Sequence, residues 1–236
     1  MPVADPSAYG LVRLDRDGAV TEFVEKPGPD QVDTNLINAG AYILERSVLD
    51  DMPPPGTNVS IERDVFPTLV GRGLYGYEAS GYWLDIGTPD RYLQGTYDTL
   101  EGKVNTEIGR RLQDARLMLV DGANVEGRVV APALLSPGCS IGPQALVGDR
   151  SALGEGVTVG AGARVESSVL LAGASVGTAT TIRGSIIGSD VQIGDHCQIE
   201  GGVVLGARVK IGSGNTLAAG ARIFPGVELP AGAIRF

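Results

Sequence analysis

The sequence predicts two unlike parts: an α/β domain over residues 1–102 and a β-helix of hexapeptide repeats over 118–236, with 103–117 as the linker. Three observations predict this. Aliphatic residues return every sixth position, as Val129, Leu135, Ile141, Val147, Leu153, Val159, Val165 and again as Ile193, Ile199, Leu205, Ile211, Leu217, Ile223, Leu229. Glycine often follows the aliphatic, at Gly142, Gly148, Gly154, Gly160, Gly194, Gly206 and Gly212. All seven tyrosines and the single tryptophan precede residue 100. A helix repeats its apolar face every 3.6 residues and a half-buried strand every 2. A period of six fits a solenoid of very short strands with a turn at each corner. Its coils are too narrow for aromatic side chains, so those collect in the first part.

The elements follow in order. Leu11 to Leu14 and Val20 to Glu25 read as strands flanking the tight turn Asp17-Gly18. Asn35 to Leu44 is apolar and β-prone, so a third strand is expected. After the break Met52-Pro53-Pro54-Pro55-Gly56, Ser60 can cap a helix whose acidic first turn suits the helix dipole. Leu74 to Tyr77 and Tyr82 to Asp85 read as short strands. Thr88-Pro89-Asp90 is a helix start, with a capping hydroxyl and Pro at the first position. Leu93, Tyr97 and Leu100 share one face of that helix, and Gly102 ends it. In the solenoid the register steps by five from Val165 to Leu170 and from Ile182 to Ile187. About eighteen hexapeptides, three to a coil, give about six coils. Phe224-Pro225 and Leu229-Pro230 interrupt the pattern as an end cap would.

Composition excludes several function classes. The net charge is −9 and the pI about 4.6, so no basic face for nucleic acid is expected. No apolar run is long enough to span a membrane, and the N-terminus lacks the basic and apolar regions of a signal peptide. A cytoplasmic location is the expectation. Cys139 and Cys197 each stand two residues before a repeat aliphatic, which reads as packing at a coil edge.

Four motifs could carry chemistry: Tyr9-Gly10, Glu25-Lys26-Pro27, Asn38-Ala39-Gly40 and Trp83-Leu84-Asp85-Ile86-Gly87-Thr88-Pro89. Each ends or follows an expected strand, where α/β domains place ligands. Lys26 can meet a phosphate and Glu25 can accept hydrogen bonds from sugar hydroxyls. Gly10 and Gly40 allow close approach of backbone to ligand. Asp85, just ahead of a helix N-terminus, suits Mg²⁺. Taken singly, each has a bland reading: solvated charges, turn glycines, a capping aspartate, a core tryptophan.

In this order and ahead of a hexapeptide solenoid, these motifs resemble the sugar-phosphate nucleotidyltransferase family. Glu25-Lys26-Pro27, Ile37 to Tyr42, Ser60 to Pro67 and Tyr82 to Pro89 carry the resemblance, which is closest to the guanylyltransferases acting on mannose 1-phosphate. It implies a Rossmann-like mixed sheet, of which this chain would hold the C-terminal portion, and a left-handed parallel β-helix. It implies the reaction of GTP with mannose 1-phosphate to give GDP-mannose and pyrophosphate. Lys26 would hold the sugar phosphate, and Glu25, Asn38 and the Gly10 backbone would contact the sugar. Asp85 would be one of two aspartates on a catalytic Mg²⁺, making Lys26 and Asp85 the catalytic pair. A homo-oligomer formed through the β-helix is expected. The family's glycine-rich nucleotide loop, with its Arg and Pro-Lys-Pro, is not among these residues, so an inactive, N-terminally truncated chain is expected. Thymidylyl or uridylyl transfer to glucose 1-phosphate stays open. So do a hexapeptide acyltransferase and a non-catalytic assembly or regulatory module. An acyltransferase would need a histidine base, and the single histidine, His196, falls where side chains face solvent. A zinc site of the hexapeptide carbonic anhydrase kind would need three.

Overall fold

The computed structural model describes residues 1–3, 5–24, 27–50, 52–115, 118–120 and 122–234. The chain divides into two compact units, Met1–Trp83 and Leu84–Phe236.

The first unit is organised by a hairpin. Strand β1 (Leu11–Leu14) pairs antiparallel with β2 (Val20–Val24), with Leu11 opposite Val24. The turn forms because the Asp15 carboxylate accepts the N–H groups of Asp17 and Ala19, both at 2.9 Å, while Gly18 takes φ +82°. Leu11, Val20 and Ile37 are buried on this sheet. Residues 35–38 lie beside β1 and residues 74–76 beside the start of β2, through the bridges Leu11↔Ile37 and Ala19↔Tyr75. Met1–Val3 continues the sheet beyond Asn35–Ile37. All these pairings are antiparallel, so the described residues of this unit show the antiparallel part of the expected mixed sheet.

Three expectations change here. The strand expected over 35–44 is confined to the bridged stretch, because Gly40 turns the backbone at φ +76°. The stretch 74–77 keeps one bridge, and 82–85 forms no strand. Ser60 caps as expected: its Oγ accepts the Arg63 N–H at 3.3 Å. The turn it starts is a π-helix over Ile61–Val65, preceded in the chain by α1 (Ser47–Asp50) and followed by α2 (Phe66–Leu69).

The second unit opens with α3 (Pro89–Leu100) and α4 (Glu107–Asp114). Residues 107–114, within the expected linker, are therefore helical, and Leu93, Leu100 and Leu112 are buried. The helices belong with the solenoid by contact. The Tyr97 hydroxyl donates to the Ser167 carbonyl, the Arg150 guanidinium lies 4.7 Å from the centre of the Tyr97 ring, and Arg150 also meets Glu101 at 3.9 Å.

The solenoid is a left-handed β-helix of about six turns. It carries three parallel sheets of seven, six and seven strands. The repeat aliphatics face inward and stack in ladders. Ile141, Val159, Val176, Ile193, Ile211 and Leu229 make one; Val147, Val165, Ile182, Ile199 and Leu217 another; Leu135, Leu153, Leu170, Ile187, Leu205 and Ile223 the third. The residue two places before the aliphatic is also inside through most of the coils, while in the last one Val227, before Leu229, is exposed. Cys139 and Cys197, both free thiols, sit there at 1% and 0% exposure. Their Sγ atoms reach the carbonyls of Gly154 and Gly212, and burial pushes the Cys139 thiol pKa up.

Both five-residue steps fall in one corner, where the chain passes from the second sheet to the third. Ser168 and Ser185 are fully buried there. The Ser151 hydroxyl accepts the Ser168 N–H at 3.3 Å, and the Ser168 hydroxyl accepts the Ser185 N–H at 3.1 Å. Each hydroxyl thus satisfies an amide of the next coil, which would otherwise be buried without a partner. Phe224-Pro225 does not interrupt the solenoid. It occupies a corner between the strands Arg222–Ile223 and Glu228–Leu229, which pair normally with the coil before. The described end is instead held by Asn215, whose Oδ1 accepts the Ile234 N–H at 2.7 Å.

Glycine after an aliphatic has a packing cause. A Cβ on Gly177 would lie 2.4 Å from the carbonyl carbon of Gly194, and one on Gly160 would lie 2.8 Å from that of Gly177. Backbone in the next coil cannot retreat without breaking its ladder. Gly177→Ala is expected to destabilise the solenoid by about 1–3 kcal/mol, read as a lower thermal midpoint by circular dichroism. The seat of α3 has a pH signature. Burial holds the Tyr97 phenol pKa above its ordinary value. The unfolded chain therefore ionises first, so this contribution is intact below about pH 10 and is lost as pH rises through the folded value. Tyr97→Phe is expected to lower stability by about 1 kcal/mol at neutral pH and to reduce the alkaline decline, measured by denaturant titration at several pH values.

Candidate functional site

Two of the four motifs, together with the Trp83 that opens another, meet within the first unit. The Asn38 N–H donates to the Gly10 carbonyl at 2.9 Å, which joins Tyr9-Gly10 to Asn38-Ala39-Gly40. Trp83 closes the group: its ring stands edge-on to Tyr9 with centres 5.2 Å apart, and its Nε1 donates to the Ala39 carbonyl at 3.4 Å. Trp83 thus works as packing, and its N–H fixes the loop that bears Asn38. Gly10 is buried and Asn38 half-buried.

The Asn38 side chain is fixed from both ends. Its Oδ1 accepts the Gly40 N–H at 3.0 Å, and its Nδ2 donates to the Tyr42 hydroxyl at 2.6 Å. That hydroxyl donates to Glu62 Oε1 at 3.1 Å. Glu62 Oε2 in turn accepts the Ser60 hydroxyl at 3.2 Å. Ser60 is anchored as a helix cap, with its own N–H bound by Asp64 Oδ2 at 2.7 Å. The Tyr42 ring packs edge-on against buried Phe66 at 4.8 Å. Tyr42 and Glu62 were not singled out by sequence. The available signal was that both fall inside stretches carrying the family resemblance, Ile37 to Tyr42 and Ser60 to Pro67.

Glu25 and Lys26 lie outside the described residues. Asp85 belongs to the second unit. Its Oδ1 accepts the Gly87 N–H at 2.9 Å, the turn that leads into α3, and Thr88 Oγ1 then caps the helix by accepting the Arg91 N–H at 3.3 Å. Asp85 is exposed, and its Oδ2 accepts no hydrogen bond among the described residues. His196 is exposed at a corner with φ +56°, stacked in line with Ala179 and Gly214.

Residues 1–102 match the family described as nucleotidyl transferase, and residues 129–232 match the GMPPB C-terminal domain. Mannose-1-phosphate guanylyltransferase of Mycobacterium tuberculosis is 35% identical over 99% of this chain and 60% of its own length. The chain belongs to the nucleotidyl transferase family. A Candida albicans mannose-1-phosphate guanyltransferase is 37% identical over 94% of this chain and 58% of its own length. The chain therefore spans about 60% of the curated relatives it matches. Among solved structures, the acetyltransferase domain of PglB from Neisseria gonorrhoeae FA1090 aligns with a TM-score of 0.41 at 22% identity, covering 53% of this chain and 64% of that one.

Members of this family generally use a divalent metal. Among the described residues no three His, Cys, Asp or Glu side chains converge to hold one. Asp85 fits a smaller part. With Oδ1 anchored and Oδ2 open, it offers one hard oxygen of fixed direction, which suits a cation that takes its other ligands from water and phosphates. A Cβ on Gly87 would stand 3.1 Å from Asp85 Oδ1 and press on the anchored carboxylate. Thr88→Ala is expected to cost about 1 kcal/mol through loss of the α3 cap, measured by chemical denaturation.

Proposed function

We propose that this chain serves the sugar-phosphate side of a nucleotidyl transfer from GTP to mannose 1-phosphate, giving GDP-mannose and pyrophosphate. The observation that carries this reading is the convergence of Gly10, Asn38-Gly40 and Trp83, with the Asn38 amide held rigid and only partly engaged. A rigid amide with one donor and one acceptor position open suits a polar ligand such as a sugar better than an acyl chain. The names of the relatives support mannose 1-phosphate as the sugar and GTP as the nucleotide.

In the proposed reaction a phosphate oxygen of the sugar 1-phosphate attacks the α-phosphorus. The new P–O bond forms as the α–β bond breaks and pyrophosphate leaves in line. Lys26 holds the sugar phosphate by charge, and Glu25 and Asn38 orient the sugar, so the attacking oxygen is held in place before reaction. Gly10 keeps its backbone close to the sugar, and its carbonyl, already bound by Asn38, holds the two walls of the site together. Asp85 would hold Mg²⁺, which would supply positive charge to offset that on the reacting phosphates.

Calorimetry on the 236-residue chain tests the sugar side directly. Mannose 1-phosphate is expected to bind more tightly than mannose or inorganic phosphate, and Lys26→Ala to weaken it about tenfold or more, as loss of a charged hydrogen bond does. Binding no tighter than inorganic phosphate, or unchanged in Lys26→Ala, would overturn the reading. In a chain that also carries the glycine-rich loop, Asp85→Ala is expected to abolish GDP-mannose synthesis. Undiminished turnover would remove Asp85 from the metal.

A further inference from the structure

We propose that Glu62 is a positioning residue: acting through the Tyr42 hydroxyl, its carboxylate fixes the face of the Asn38 amide that is offered to a pair of adjacent sugar hydroxyls. This rests on the sugar-phosphate reading above.

The argument is one of donors and acceptors. An ionised carboxylate only accepts hydrogen bonds. Tyr42, 3.1 Å from Glu62 Oε1, must therefore turn its proton toward Glu62. Its oxygen is then left to accept, so the atom of Asn38 at 2.6 Å has to be the amide nitrogen. The other end gives the same answer independently. The Gly40 backbone N–H only donates, so the Asn38 atom 3.0 Å away has to be the oxygen. A side-chain amide can usually sit either way round, and here both ends agree on one orientation.

What remains open on Asn38 among the described residues is one N–H of Nδ2 and one lone pair of Oδ1. Both belong to one planar amide that is held at each end. Two adjacent hydroxyls on a sugar ring, one accepting and one donating, match that pair. A lone hydroxyl or a keto group would use only half of it. Substrates with a vicinal diol facing Asn38 are favoured over deoxy analogues that lack either hydroxyl.

The supports of Glu62 explain why the Ser60-Ile61-Glu62 stretch is built as it is. Ser60 binds the second carboxylate oxygen at 3.2 Å and is itself held as the cap of the π-helical turn. Phe66, at 4% exposure, fixes the Tyr42 ring from its edge. The relay therefore runs from a capped helix start to the amide without a freely rotating member.

The test measures affinity of the full chain for mannose 1-phosphate and its monodeoxy analogues in wild type, Asn38→Ala, Tyr42→Phe, Glu62→Gln and the double variant Asn38→Ala/Tyr42→Phe. Wild type is expected to bind the analogue lacking a contacted hydroxyl about tenfold more weakly than mannose 1-phosphate. Tyr42→Phe and Glu62→Gln are expected to weaken mannose 1-phosphate by roughly threefold to tenfold and to shrink that ratio toward one. In the Asn38→Ala background Tyr42→Phe is expected to add nothing, because the relay acts only through Asn38. Equal losses for mannose 1-phosphate and every analogue, or losses that add to that of Asn38→Ala, would assign Glu62 and Tyr42 a structural role only and overturn the proposal. Failure of wild type to prefer mannose 1-phosphate over inorganic phosphate would instead overturn the parent reading. Glu62→Gln and Tyr42→Phe both keep side-chain shape, and thermal midpoints within a few degrees of wild type confirm that folding is not the variable read.

Discussion

Hydrogen bonds between successive coils set the spacing of the solenoid, and everything that lies across a coil boundary has to fit it. Parallel strands stand about 4.8 Å apart. Inward-facing aliphatics tolerate that spacing, because like side chains stack on like. The position just after them lies over the backbone of the next coil, and there the spacing leaves no room for a Cβ. Buried polar atoms face the same constraint. The hydroxyls of Ser151, Ser168 and Thr180 and the amide of Asn215 each bridge neighbouring coils. No buried side-chain nitrogen or oxygen among the described residues lacks a partner.

The first unit is ordered by a different kind of interaction. Its described core is small, with Leu11, Val20, Ile37, Val65 and Phe66 buried, and its loops are fixed by polar contacts. Gly10, Asn38 and Trp83 are tied backbone to backbone and ring to backbone. The Asn38 amide is then aimed by Tyr42 and Glu62. Directional bonds give an unambiguous amide orientation where apolar packing alone could not, since nitrogen and oxygen of an amide have nearly the same shape. The cost is dependence on a chain of single contacts.

The solenoid was legible in sequence because its period is unlike that of a helix or strand, and even the two five-residue steps could be counted. The Thr88 cap, the Asp17-Gly18 turn and the Ser60 cap were legible because each is local chemistry. The strands expected over 35–44, 74–77 and 82–85 were shorter or absent because a strand requires a partner, which composition does not report. Residues 107–114 form a helix despite weak periodicity, since Leu112 alone supplies its fully buried anchor. Of the candidate site residues, Gly10 and Asn38 are brought together, while Asp85 lies in the second unit as a turn residue. Tyr42 and Glu62 stood within the stretches that carry the resemblance but were given no role, because their pairing depends on a contact spanning 20 positions in the chain.

The corner that absorbs the five-residue steps has an evolutionary consequence. Coils of this solenoid differ in length by one residue: Val165 is paired with Val147 before it and Ile182 after it, yet every inward ladder stays in register. A gene encoding such a coil can gain or lose one codon at that edge without turning any downstream side chain inside out. The same loss within a strand would reverse the facing of the residues that follow. One of the two steps, between Val165 and Leu170, is also where the corner meets α3 through Ser167 and Tyr97, so a seated helix does not prevent it. Inherited length variation among related solenoids should therefore gather at this edge.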